Sequence, residues 1–362
     1  MTEIEQNSFE TEHEGQEDEQ TGPQLGFIPR EDLTNEEYHR GPGISKSGLM
    51  AVARSPLHYI TYKLNPKPTT PSLEFGTIYH HLILEPDTFW DHHILQSEEA
   101  PKRPTALQLA PRKGQPKPEH IEAGQFWAEF DEKAAGKTII STTGDPSNGI
   151  WGRSDWDNLR YMRDFLLDPV EHPNICLALA PHLMDWNSDQ GDSGEDTLEE
   201  LRNQSSGGPT ELSAFTIDKN APFMGGYQYD PTYKLMKCRL DKYNEPNNIA
   251  VDLKTAIDAS YSGFARAVAE FGYHVQHAMY MDIFRQLGEP LNGFLFIAQE
   301  KQPPYAPAIY ELPKRAVEMG MDLYRRHLET YAKCHKANEW PGYPQEIRSL
   351  ELPGWAYRVD VS

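Results

Sequence analysis

In the stretch Ile249-Ala-Val-Asp-Leu-Lys-Thr255, apolar and polar side chains alternate. An extended strand therefore puts Ile249, Val251 and Leu253 on one face and Asp252 and Lys254 on the other. A carboxylate and an ammonium then stand side by side, and burying such a pair is costly without further partners or a purpose. A D-x-K triplet arises by chance in most chains this long, so its surroundings decide its meaning. Eleven residues earlier, Cys-Arg-Leu-Asp241 closes the preceding predicted strand, and a hairpin between the two strands brings Asp241 beside Asp252. Two carboxylates converging at the end of a sheet make a hard-oxygen site suited to Mg2+, with Mn2+ as a substitute, rather than to zinc. Lys254 beside them is placed to orient or deprotonate an attacking water and to balance the charge of a phosphate. With a bound metal lowering the pKa of that water, the chemistry is phosphodiester hydrolysis.

Two further elements have the right residue types. Gln276 and Tyr280 are spaced i and i+4 on a predicted helix and share a face, where an amide and a phenol can position Lys254 or a phosphate. In Gly76-Thr-Ile-Tyr-His80-His81 the adjacent histidines lie on different helix faces, so at most one points at a given site. Each of these, taken alone, is as readily ordinary surface or core.

The elements that must hold these groups follow from periodicity and caps. The stretch from Ile44 reads as a capped helix followed by a Pro-led one running to about Leu64, and a second segment is predicted helical from Ser72 to Leu84, stopped by Pro86. Residues 101–118 are rich in Pro, Lys and Arg without periodicity, which predicts a mobile basic loop, either simply solvated or facing DNA. Between Trp156 and Leu179, the spacing of Leu159, Met162, Phe165 and Leu166 fits an amphipathic helix. From Glu211, three alternating runs separated by turn residues predict an antiparallel meander. A long helical pattern covers Ser260 to Leu287. Strands follow at Gly293 to Ala298 and Ala306 to Leu312, then a helix from Lys314 to Ala337. Strands flanked by long helices make an α/β sandwich, and there is no internal repeat.

Composition limits the alternatives. With 362 residues and 38% hydrophobic content, one main folded unit over residues 26–362 is expected. There is no apolar run of about 18 residues and no basic start with an apolar h-region, so neither a membrane span nor a secretory signal is expected; the expected location is the cytoplasm. Cys176, Cys238 and Cys334 form no C-x-x-C pair, which argues for buried thiols rather than a disulfide framework or zinc ribbon. A net charge of -21 sits badly with a nucleic-acid partner. Much of it lies in an acidic tail over residues 1–25, expected to be disordered, and in an acidic insertion near 185–208, so a basic channel can coexist with it. Ala135-Gly136-Lys137-Thr138 imitates the end of a P-loop, but Asp131 stands where the cradle needs Gly. No H-E-x-x-H supports a zinc hydrolase.

The runs SLEFGTIYHHLILEP, CRLD, VDLKT, YHVQHAMY and NEWPGYPQEIRSLELPGWAYR, in this order from about Tyr38 to Tyr357, resemble the exonuclease VIII (RecE-like) branch of the PD-(D/E)XK nucleases, a phage and prophage type. The resemblance implies a restriction-endonuclease-like α/β fold with a central mixed sheet flanked by helices. It implies His80, Asp241 and Asp252 as metal ligands, Lys254 as the catalytic lysine, and Gln276 and Tyr280 as its support. His81 stands where that family has an apolar residue and is read as structural; Glu211 matches an additional acidic position in related nucleases. It further implies 5′-to-3′ degradation of linear double-stranded DNA leaving 3′ overhangs, a single-strand annealing recombinase as partner, and a homo-oligomeric ring. The alternative is a catalytically silent DNA- or partner-binding module on a nuclease fold. A single-strand annealing protein, which would pair strands without metal, has no matching feature.

Overall fold

A computed structural model describes residues 25–65, 70–144, 154–179, 208–218 and 235–352. The acidic tail lies outside the described residues save Leu25, and the acidic insertion save Gly208.

The first element among the described residues is β1 (Gly26–Ile28). Thr34 and Glu37 then form a capping box on α1 (Asn35–Arg40). Ser45 caps α2 (Lys46–Arg54), and Ser55 caps α3 (Pro56–Leu64), whose proline sits in the first turn where no donor is needed. Next come α4 (Pro71–Leu84), α5 (Phe89–His92) and β2 (His93–Gln96). A single turn, α6 (Ala106–Leu109), precedes α7 (Pro118–Lys133) and β3 (Thr138–Ser141). Then follow α8 (Asp155–Leu166), α9 (Pro173–Leu179), β4 (Thr210–Ile217), β5 (Leu235–Asn244) and β6 (Ile249–Ala256). The helices α10 (Tyr261–Phe271) and α11 (Tyr273–Leu287) cross to β7 (Gly293–Glu300), which turns into β8 (Pro307–Glu311) and the long α12 (Lys314–Ala337).

Six strands form one mixed sheet in the order β1-β4-β5-β6-β7-β8, while β2 and β3 pair in parallel apart from it. The predicted meander is present: β4, β5 and β6 are successively antiparallel. Among the described strands of the large sheet, β6 and β7 pair in parallel, as the intervening two-helix crossover requires. Helices cover both faces. On one, Ala250, Phe294 and Phe296 pack with Leu49, Val275, Met279 and Tyr324 of α2, α11 and α12. On the other, Val251, Leu253 and Ile297 pack with Ile78, Tyr79, Leu159 and Met162 of α4 and α8. The alternation read from residues 249–255 thus holds, with Val251 and Leu253 fully buried on one side and Asp252 turned to the other. All three cysteines are buried and free.

Three expectations are corrected. The helical run 260–287 is two helices broken at Gly272, whose φ of +68° is left-handed. A Cβ there would also stand 2.8 Å from Met50 Sδ, because α2 packs onto this junction. The run 156–179 is likewise two helices, interrupted over 167–172. The Pro-rich stretch is not irregular throughout. Thr105 and Gln108 form a capping box on α6, Arg103 makes a two-pronged contact with Asp131 at 2.6 and 3.0 Å, and its guanidinium covers the Trp127 ring. Arg103 is therefore held against α7 rather than offered to a ligand.

Candidate active site

The acidic residues come together through strand register. The pairs Thr210↔Lys242 and Leu212↔Leu240 flank Glu211 and set it opposite Asp241. Between β5 and β6 the ladder runs only as far as Lys242↔Val251; carried one step further it sets Asp241 opposite Asp252. There the strands part, and Asp241 Oδ2 accepts the backbone N–H of Leu253 at 2.8 Å. Three carboxylates from three neighbouring strands thus form a row at the opening of the sheet. Glu211 has φ +50°, a conformation that costs a non-glycine residue on the order of 1–3 kcal/mol and persists only where the surroundings impose it.

Helices on opposite faces supply the remaining groups. From α4, His80 brings Nδ1 to 3.7 Å from Asp241 Oδ2. One ligand atom each from His80, Glu211 and Asp241 lie within 4.8 Å of one another. Asp252, only 3% exposed, stands beside this trio. Its Oδ1 accepts from the Gln276 amide of α11, and the Lys254 ammonium lies against Oδ2 without the alignment of a hydrogen bond. Of the expected ligands, His80 and Asp241 are thus brought together with Glu211, while Asp252 is engaged by Lys254 and Gln276. Gln276 contacts Asp252 rather than Lys254, and Tyr280 lines the same cleft one helical turn on.

Burial and mutual repulsion set the protonation states. Burial first, then Asp241, pushes the Glu211 carboxyl up to about 8. Burial raises Asp252 to about 6 against the pull of Lys254. It also raises Asp241, partly offset by Lys254 and the Leu253 N–H. Burial and then Lys254 hold His80 down to about 4, so its imidazole is neutral with a lone pair to give. For Lys254 burial works against the charge, but Asp252 and Asp241 outweigh it and keep the ammonium above its ordinary range. Of the roles expected for Lys254, balancing the charge of a phosphate fits this state directly.

This donor set fits a divalent cation. His80, Glu211 and Asp241 offer two carboxylates and a neutral imidazole within 4.8 Å of one another, with Asp252 beside them, and these are hard-to-intermediate ligands. The surrounding cleft encloses about 340 Å³ and also contains Lys46, Thr77, Glu85 and Arg239. His81 also borders it, but its Nδ1 meets His93 Nε2 at 2.9 Å and its Nε2 lies 4.0 Å from Glu85, consistent with a packing role.

Two cationic residues of the cleft escape sequence reasoning. Arg239 is on the same strand as Asp241 two positions earlier, so the alternation already placed them on one face. It donates to Ser213 Oγ at 2.8 Å and Leu33 O at 2.7 Å, and stands 3.9 Å from Glu211. Lys46 comes from the start of α2, far away in sequence, and no local pattern marks it. Burial and then Lys254 hold its ammonium down to about 8.

Residues 228–353 match the model of a family described as a PDDEXK-like domain of unknown function (DUF3799). The match includes Asp241, Asp252, Lys254, Gln276 and Tyr280 and leaves His80 and Glu211 outside it. No curated protein matches the chain. Among solved structures, the crystal structure of a "putative exonuclease" from Eubacterium rectale is similar at 16% identity and a TM-score of 0.39, covering 92% of this chain and 96% of that one. Over residues 228–353 the chain is thus similar to a PDDEXK-like domain, and the matched stretch, part of a mixed sheet flanked by helices, holds two of the three carboxylates and the lysine of the cleft.

Proposed function

We propose that the protein is a divalent-metal-dependent nuclease that hydrolyses phosphodiester bonds of DNA. The observation that carries this reading is the row Glu211, Asp241, Asp252 at the parting of β4, β5 and β6, closed by His80 on one side and Lys254 on the other. The PDDEXK-like match over residues 228–353 supports it independently.

His80, Glu211 and Asp241 would hold the cation with Asp252 beside them, and the cation would supply Lewis-acid polarisation and a more acidic water. The chain's own residues do the rest. Lys254, fixed as an ammonium by Asp252 and Asp241, places a positive charge where a phosphate gains negative charge in the transition state. Gln276 fixes the rotation of the Asp252 carboxylate, and so the direction in which Asp252 holds Lys254. Arg30 pairs with Glu85 at 2.9 Å and offsets part of its negative charge on that side of the cleft.

The finer features of the reading rest on the resemblance of the motifs: Mg2+ as the metal, linear double-stranded DNA as substrate, 5′-to-3′ polarity with 3′ overhangs, a single-strand annealing partner, a ring of identical subunits, and work in a bacterial host cytoplasm. No helix among the described residues is long and apolar enough to cross a membrane. The test is a blunt linear duplex labelled separately at its 5′ and 3′ ends, beside a covalently closed circle, with and without Mg2+. Metal-dependent loss of the 5′ label with the circle intact supports the full reading. Cleavage of the circle rejects the exonuclease assignment while keeping the nuclease. No cleavage with any divalent metal leaves a silent binding module in its place.

A further inference from the structure

Among the described residues, Lys46, Arg239 and Lys254 are the lysines and arginines that border the cleft, and two of them have carboxylate partners. Lys254 lies against Asp252, and Arg239 stands 3.9 Å from Glu211 with further donors on Ser213 and Leu33. Lys46 has no carboxylate within ion-pair distance among the described residues, although it lines a cleft with Glu211, Asp241 and Asp252. Its position is imposed. Leu49 and Val52 bury the inner face of α2, Gly48 brings the helix against Ile44, and Met50 meets Gly272. The first residue of that helix is thereby carried to the end of α10, where Lys46 Nζ donates to Phe271 O at 2.6 Å. The same ammonium stands 5.2 Å from the centroid of the Tyr273 ring, and Lys254 Nζ stands at the same distance from that ring. Two ammonium groups thus share one aromatic ring at the mouth of an acidic cleft. A carbonyl and a ring face are weak partners for a full charge, so further hydrogen-bonding capacity remains at Lys46.

We infer that Lys46 is a phosphate-binding residue, which grips the backbone of the strand being cut at a phosphate beside the one that faces Lys254. The inference rests on the nuclease reading above. A Lys binds phosphate as a point charge, so its contribution is to affinity and register rather than to base choice. The competing role, a purely structural cap on the last carbonyls of α10, uses the same Phe271 contact but gives Lys46 no influence on DNA.

The test is duplex binding by fluorescence anisotropy across a salt series in calcium, with steady-state cleavage in magnesium alongside, for the unsubstituted protein, Lys46→Gln and Lys46→Arg. Loss of one phosphate contact lowers the slope of log affinity against log salt by about 1. Lys46→Gln is expected to show that loss, with about tenfold weaker binding at low salt and a raised KM against a smaller change in kcat. Lys46→Arg is expected to restore the slope. An unchanged slope in a folded Lys46→Gln overturns the assignment. Should that variant fail to fold, acetylation of Lys46 in the unsubstituted protein, followed by mass spectrometry, replaces it: protection by DNA supports the assignment and equal labelling overturns it. If the unsubstituted protein neither binds nor cuts DNA, the nuclease reading itself falls and the inference falls with it.

Discussion

Metal binding to this site should release a countable proton. The Glu211–Asp241 pair keeps a proton, written on Glu211, up to about pH 8, because burial and the facing carboxylate both oppose a second negative charge. A bound cation reverses that balance and requires the ionised form. With a pKa of about 8, roughly nine-tenths of Glu211 is protonated at pH 7, so binding should release about 0.9 proton from it there. Asp252, at about 6, adds roughly 0.1 at pH 7 and about 0.5 at pH 6, and His80, at about 4, adds almost none. The apparent affinity should therefore weaken about tenfold between high pH and pH 7, and nearly twentyfold more by pH 6. Isothermal titration of Mg2+ or Mn2+ at pH 7 in two buffers of different ionisation enthalpy counts the protons directly. Glu211→Gln should bind more weakly and release only about 0.1 proton. A release near zero in the unsubstituted protein, or one that survives Glu211→Gln, would refute both the placement of the proton and Glu211 as a ligand.

The same carboxyl gives a stability signature without metal. Its folded pKa of about 8 exceeds the ordinary 4.5, so the folded state binds more protons across that interval and stability falls as pH rises through it. Glutamine cannot ionise, so the Tm of metal-free Glu211→Gln should gain on that of the unsubstituted protein from pH 6 to pH 8; parallel Tm curves would contradict this. Gln276→Leu leaves Asp252 Oδ1 without its donor, and loss of such a supporting contact should lower kcat about 10–100-fold with little change in KM; near-normal kcat would show that Asp252 is held by Lys254 alone. At the crossing of α11 and α12, a Cβ on Gly320 would lie 2.0 Å from His274 O, so Gly320→Ala must push the helices apart at a cost of about 1–3 kcal/mol. Thermal unfolding should show a clear fall in Tm, and an unchanged Tm would mean that the crossing gives way freely.

What could be read from sequence follows from how local each signal is. Asp252 and Lys254 were legible because a period of two within seven residues fixes their face, and Asp241 because a short hairpin joins its strand to theirs. Glu211 needed the β4–β5 register, which spans a long connection whose length says nothing of pairing. The break at Gly272 leaves the apolar spacing on both sides intact, so periodicity passes through it, and the glycine itself is the local mark of the break. In the Pro-rich stretch, Thr105 and Gln108 carried a readable capping box, whereas the docking of Arg103 on Trp127 and Asp131 is tertiary and left no local trace. Lys46 is the extreme case: its place in the cleft depends wholly on how α2 packs against the α10–α11 junction.

The Asp241, Asp252 and Lys254 constellation is proposed to cut phosphodiester bonds. Its most direct test is release of acid-soluble nucleotides from linear duplex DNA, with Mg2+ and with chelator, by the unsubstituted protein and by folded Lys254→Met. The expected result is metal-dependent release by the former and a loss of at least about hundredfold in the latter, since the charge opposite the phosphate is gone. Equal release by both proteins, or release that persists in chelator, would contradict the assignment of this cleft as the catalytic site.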